Sequence, residues 1–115
     1  MIVIKNLRNE KVKNVWDIRV DRASVLGNPY FMQDESMRNE VCEKYKVYFE
    51  EKSKTDANFQ RALYDILATY KKYGTVNLFC WCYPKRCHAE TIKEWLEKEI
   101  LKWKYSYPAQ RTLNI

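Results

Sequence analysis

The chain of 115 residues carries 21 Lys and Arg against 15 Asp and Glu, a formal charge of +6, and is 46% apolar and 15% aromatic. That suits one ordinary domain with a modest core; it is too apolar for disorder, and no apolar run approaches the roughly 20 residues that a bilayer requires. Two glycines and three prolines argue against a loop-rich all-β fold and favour long, mostly helical segments.

Ile2-Val3-Ile4 is a short β-branched run suited to a strand. Arg8, Glu10, Lys11 and Lys13 follow Met1–Leu7 directly, which is no pattern for a secretory leader. The expectation is a cytoplasmic protein whose four cysteines are thiols. Asn14–Val20 reads as a second strand, with Trp16, Ile18 and Val20 toward a core and Val15, Asp17 and Arg19 on the other side. The following segment, Asp21–Tyr30, is an ordered loop around Gly27-Asn28-Pro29, where Gly27 can take positive φ and Pro29 biases Asn28 toward extended backbone.

Asp34 can cap a first long helix, whose apolar face is Met37, Val41, Tyr45, Tyr48 and Phe49. Thr55 or Asp56 can cap a second, striped by Phe59, Leu63, Ile66, Leu67 and Tyr70 and closed by Gly74. Val76–Cys82 is a near-continuous apolar strand of the kind buried on both faces. After a turn around Pro84, a third helix runs from about His88 to Lys104 with Ile92, Trp95, Leu96, Ile100 and Trp103 inward, and Pro108 is expected to stop it. Arg111–Ile115 is then a short edge strand or a tail. The order strand, strand, two helices, strand, helix predicts a single α/β domain over 1–115, a small, largely parallel sheet of three or four strands packed by three helices. Such sheets take ligands at the carboxyl ends of their strands. Arg19–Tyr30 and Cys80–His88 both follow strands, so both are expected there.

Cys80-Trp81-Cys82-Tyr83-Pro84-Lys85-Arg86-Cys87-His88 gathers three cysteines and the chain's one histidine. Zinc held by Cys80, Cys82, Cys87 and His88 is one reading. It is not favoured, because the spacing departs from Cys-x-x-Cys, a strand keeps alternate cysteines apart, and the neighbours Cys87 and His88 diverge. A reactive thiolate is the second, with Cys87 at a helix amino end beside Lys85 and Arg86. Catalysis here would draw on Cys87 or His88. The third reading is structural: Cys80 and Cys82 as small buried hydrophobes and His88 as a cap, with Cys42 in the core.

Arg19, Asp21, Arg22, Ser24, Gly27 and Asn28 form the other cluster. Arginine matches phosphate or carboxylate with two donors, and backbone amides around Gly27 can hold an anion. The alternative is surface pairing of Asp17, Arg19, Asp21 and Arg22, with Ser24 and Asn28 shaping the loop. Two glycines cannot supply a Walker loop or a dinucleotide fingerprint. Some of the many aromatic residues are available to stack on a base.

The run from Asp17 to Tyr30 (Asp-Ile-Arg-Val-Asp-Arg-Ala-Ser-Val-Leu-Gly-Asn-Pro-Tyr), the run Arg38–Tyr45 and the run Leu78–Ala89 together resemble a phage-associated domain of unknown function, the DUF4326 family. The resemblance spans most of residues 15–100, with a Ser-x-x-Gly-Asn-Pro-aromatic loop and a Cys-x-Cys-x-Pro-x-x-Cys-His turn. Ala89 stands where that pattern has glycine. The resemblance implies a phage or mobile-element setting and carries no established activity.

The leading expectation is binding of a small anionic, nucleotide-type ligand by Arg19, Arg22, Ser24, Gly27, Asn28, Cys87 and His88. One alternative is an enzyme acting on a nucleotide or nucleic acid through Cys87 or His88. Another is a nucleic-acid-binding accessory protein, whose binding would weaken steeply with salt. No membrane partner is expected.

Overall fold

The protein is described here by a computed structural model covering residues 1–113, with side-chain detail for residues 1–105. The elements are β1 (Ile2–Asn6), β2 (Asp17–Arg19), a 3₁₀ turn (Glu35–Met37), α1 (Arg38–Thr55), α2 (Ala57–Tyr73), β3 (Val76–Cys80) and α3 (Ala89–Leu113). The three strands form one parallel sheet in the order β1-β3-β2. Ile4 lies opposite Leu78 on one side of β3, and Ile18 opposite Leu78 on the other.

β3 is the centre, and every one of its residues is buried, as its near-continuous apolar run predicts. Val76, Leu78 and Cys80 share one face and join Tyr45 and Phe49 of α1, Phe59, Leu63 and Ile66 of α2, and Ile92, Leu96 and Ile100 of α3 in a single core. Each helix therefore buries the stripe that its sequence periodicity marks. The stops and starts are also chemical. Asp56 accepts a hydrogen bond from Phe59 N at 3.0 Å to cap α2, and Gly74 ends that helix at φ 75. Asp34 caps the short 3₁₀ turn, accepting from Ser36 N at 2.9 Å, and that turn leads into α1.

Four local expectations are corrected. β2 is three residues long because the amides of Lys13 and Asn14 turn to Asp17 Oδ2, at 3.0 and 2.9 Å, instead of to a neighbouring strand. β3 stops at Cys80 and not at Cys82. Asn6 Nδ2 takes the carbonyls of Trp81 (3.3 Å) and Tyr83 (2.7 Å), and Lys85 N donates to Cys82 O (2.9 Å), so these groups close a turn. Gly27 does not take positive φ. It is needed because a Cβ there would lie 2.5 Å from Asp21 O and 2.6 Å from Arg22 Cα. Finally, α3 continues through Pro108 to Leu113. A proline within a helix withholds one backbone donor, and the long helix carries on across that gap. Arg111–Leu113 are thus helical and not an edge strand, while Asn114 and Ile115 lie outside the described residues.

Candidate functional site

Parallel strands set the direction of the site. The carboxyl ends of β2 and β3 lie side by side, because Arg19 registers with Phe79 and Val20 N donates to Phe79 O at 3.0 Å. Trp81 Nε1 donates to Asp21 Oδ2 at 2.8 Å across the two strand ends. Beyond them a cavity of about 420 Å³ opens. Its wall includes Arg22, Phe31, Arg38, Cys82, Arg86 and His88, with Asn28, Trp81 and Cys87 among the other lining residues.

The loop after β2 is held mainly by its own polar groups. Ser24 Oγ accepts from Leu26 N at 2.9 Å, and Gly27 N donates to Ser24 O at 3.0 Å. Asn28 Oδ1 accepts from Tyr30 N at 2.9 Å, and its Nδ2 donates to Val41 O at 3.4 Å. The amides of Leu26, Gly27 and Tyr30 are therefore occupied within the loop. Tyr45 secures the loop from below, its buried hydroxyl donating to Leu26 O at 2.7 Å. Arg19 points away from the cavity wall and pairs through Nε and Nη2 with Asp21. That guanidinium, together with the Trp81 donor, holds the Asp21 carboxyl below its usual range.

Three guanidinium groups remain on the wall. Arg38 binds Glu35 through Nε (2.8 Å) and Nη2 (2.9 Å), and its Nη1 donates to Arg86 O at 2.9 Å. Arg86 pairs with Glu43 and donates to Asn39 Oδ1 at 3.1 Å. Arg22 differs from both. It donates to the backbone carbonyls of Asn28 (3.1 Å) and Tyr30 (2.9 Å) and lies 3.9 Å from the centre of the Phe31 ring. It has no acidic partner among the described residues, so its charge is uncompensated at the wall.

Two of the cysteines converge, Cys80 at the end of β3 and Cys87 before α3. The strand ends at Cys80, and the turn folds Cys82 back toward the start of α3. Cys80 Sγ and Cys87 Sγ are 3.3 Å apart and buried, and Cys82, half-buried, lines the cavity together with Cys87. Cys87, placed between two sulfurs and buried, keeps its proton: its thiol is pushed far up by Cys80, Cys82 and desolvation. The neighbouring Cys87 lowers the other two, Cys80 to about 7 and Cys82 to about 6. Cys82 has the additional Arg38 guanidinium near it and the more exposed position, and both favour its thiolate form. Cys87, the residue that its sequence position marks for reactivity, is instead buried against Cys80, which favours its protonated form.

His88 turns the other way. Its Nε2 donates to Val20 O, and its ring meets Tyr45 edge-on at 5.0 Å between centroids. Burial disfavours its charged form, so the imidazole is neutral at physiological pH. With Nε2 as the donor, Nδ1 carries the lone pair. His88 also lines the cavity. Among the described residues no group of three or more His, Cys, Asp or Glu side chains is arranged to hold a metal ion. The first turn of α3 is also partly spoken for, since Glu90 Oε2 accepts from Cys87 N at 3.3 Å in a capping arrangement.

Of the residues nominated from sequence, Arg22, Asn28, Cys87 and His88 line the cavity, whereas Arg19, Ser24 and Gly27 support its wall from outside. Arg38 on α1 went unnoticed as a wall residue. Nothing in the local sequence distinguishes it from any other helix-initial arginine, and only the fold brings it to Cys82.

No helix among the described residues is long and apolar enough to cross a membrane. No curated protein and no solved structure matches the chain. The Gly-Asn-Pro loop and the Cys-x-Cys-x-Pro-x-x-Cys-His turn that build this cavity both fall within residues 4–98, the stretch matched by the family described as Domain of unknown function (DUF4326), to which the chain therefore belongs.

Proposed function

We propose that the protein binds a small anionic ligand of nucleotide type in the cavity at the carboxyl ends of β2 and β3. The observation that carries this reading is the uncompensated guanidinium of Arg22 in the wall, with Arg38 and Arg86 on the same cavity. Among the described residues Arg22 Nη1 makes no hydrogen bond, which leaves a charged donor for a phosphate or carboxylate oxygen. Exposed Phe31 and Trp81 on the same wall offer flat faces to a base. The anion contact belongs to the arginines and not to the amides of the Gly27 loop, which are already used. In the cytoplasm of a cell carrying a phage or mobile element, such a domain would sequester or alter a host nucleotide.

The test is calorimetric titration with nucleoside mono- and diphosphates against the corresponding nucleosides. Phosphorylated ligands should bind and the nucleosides should not. Arg22→Gln should weaken binding at least about tenfold, the scale of one lost charged hydrogen bond. A thermal melt of the variant separates loss of affinity from loss of fold. Absence of heat with every phosphorylated ligand defeats the reading.

A second reading, an enzyme acting on that ligand, is favoured by one feature: Cys82, whose thiol is lowered to about 6, and the neutral imidazole of His88 share the cavity wall. Under it, Cys82→Ser or Cys87→Ser would keep affinity and lose turnover. Under simple binding there is no turnover to lose.

A further inference from the structure

The wall of the cavity draws its positive charge from two places in the fold. Arg22 belongs to the loop after β2 and is held by the carbonyls of that loop, 3.9 Å from the centre of the Phe31 ring. Arg38 at the start of α1 and Arg86 in the turn before α3 are tied to each other, Arg38 Nη1 donating to Arg86 O at 2.9 Å. All three line the cavity. We infer that the cavity takes a nucleotide carrying two phosphate groups, one met by Arg22 and the other by Arg38 and Arg86. This inference rests on the nucleotide reading above and adds the number of phosphates to it.

The balance of charge supports two. Glu35 accepts from Arg38 but is shared with Lys85, at 3.2 Å. Glu43 pairs with Arg86 and is shared with Lys46, also at 3.2 Å. Each carboxylate thus faces two cations, and each cluster keeps a net positive charge. Neither Glu35 nor Glu43 lines the cavity, whereas their arginine partners do. Asp21 is the acid on the wall, and Arg19 and Trp81 already occupy it. Glu90 is turned to Cys87 N at 3.3 Å and stands off the wall. A cleft lined by one sign of charge concentrates its field on the ligand. One phosphate on Arg22 would leave the Arg38 and Arg86 side unanswered.

Both sides also have donors to give. Arg22 Nη1 and Arg86 Nε make no hydrogen bond among the described residues, and guanidinium donors suit phosphate oxygens. The bonds to Glu35, Glu43 and Asn39 fix Arg38 and Arg86 in advance, so little side-chain freedom is lost when an anion arrives. The two phosphates can be joined as a diphosphate or set at opposite ends of the ribose. The wall chemistry is the same for either.

The experiment is calorimetric titration of the full chain at fixed ionic strength, with the four common ribonucleosides each in three forms: monophosphate, diphosphate, and bisphosphate with one phosphate at each end of the ribose. For at least one base, a two-phosphate form should bind at least about tenfold tighter than the monophosphate, the scale of one added charged hydrogen bond. Whichever form gains shows how the phosphates are linked. Arg86→Gln should erase most of that preference and leave monophosphate affinity near the wild-type value, whereas Arg22→Gln should weaken every form. Lys98→Gln removes the same charge from an exposed position of α3 off the cavity wall, and it should keep the preference. Equal affinity for one and two phosphates with every base overturns this inference and leaves the nucleotide reading standing. A preference that Lys98→Gln lowers as much as Arg86→Gln also overturns it, since the attraction is then general and not local. Absence of heat with every phosphorylated form removes both readings. The wild-type comparison needs no variant to fold.

Discussion

Trp81 and Asp21 join the ends of two neighbouring strands: the indole Nε1 of Trp81 donates to Asp21 Oδ2 at 2.8 Å, while Arg19 holds the same carboxylate from the other side. Asp21 is 5% exposed and stands at the floor of the cavity, so this contact sets the spacing between the loop after β2 and the turn after β3. Asp21→Asn should lower stability by about 1–3 kcal/mol, the scale of disrupting a buried charged hydrogen bond. Urea unfolding measures it. The folded pKa of Asp21 is depressed, so its contribution is present above the ordinary carboxylate range and is lost as pH falls through the lowered value.

His88 gives a cleaner pH signature, since it is the one histidine of the chain. Its folded pKa lies below the ordinary 6.5 because burial penalises the imidazolium. Below about pH 6.5 the unfolded chain takes up a proton that the folded chain refuses, so stability falls with falling pH, by up to about 1.4 kcal/mol per pH unit. Denaturant melts between pH 7.5 and 5, as rough bounds around that value, should show this slope in the wild type. His88→Gln should flatten it.

Cys82 should react with iodoacetamide in a pH profile whose midpoint lies near 6, the value to which Cys87 and Arg38 lower it against burial and the nearby Glu35. An ordinary thiol would give a midpoint near 8.5. Arg38→Gln should move the midpoint upward, since it removes the cation beside the sulfur. Stopped-time mass spectrometry with peptide mapping reads both the rate and the site.

Tyr45→Phe should cost about 1–2 kcal/mol. The ring would still fill its place beside Phe49 and His88, but the buried Leu26 carbonyl would lose its 2.7 Å donor. Because Leu26 anchors the loop that carries Asn28, the same variant should loosen the cavity wall. Faster amide exchange at Gly27 and Asn28 is the corresponding readout.

Gly27→Ala should destabilise by about 1–3 kcal/mol, the range for forcing an added methyl into a packed site. The obstacle is backbone, Asp21 O at 2.5 Å and Arg22 Cα at 2.6 Å, and backbone cannot swing aside as a flexible side chain can. Thermal unfolding checks it.

Most of the fold was legible from periodicity. The stripes Val41-Tyr45-Phe49, Phe59-Leu63-Ile66-Leu67 and Ile92-Leu96-Ile100 are buried as their spacing demands, because a helix can hide only residues that recur every three to four positions. The continuous apolar character of Val76–Cys80 marked the central strand for the same kind of reason: a strand covered on both faces has no solvent side to keep polar. Asp56 and Gly74 announced the ends of α2 by local hydrogen bonding and backbone freedom.

Tertiary structure decided what the site residues do. Arg19 and Arg22 look equivalent in sequence, yet one pairs with Asp21 and the other faces the cavity without an acid, because that depends on which side of the loop each leaves the backbone. Cys80 and Cys82 were expected to stay apart because strand geometry separates alternate residues. Asn6, 76 positions from Cys82, ends the strand before Cys82 by donating to the carbonyls on either side of it, and across the turn that follows it is Cys87 that meets Cys80. Propensity and periodicity act over a few residues and are written in the chain. Hydrogen bonds between distant segments, and the charge that each buried group can carry, come into being only when the fold brings those segments together.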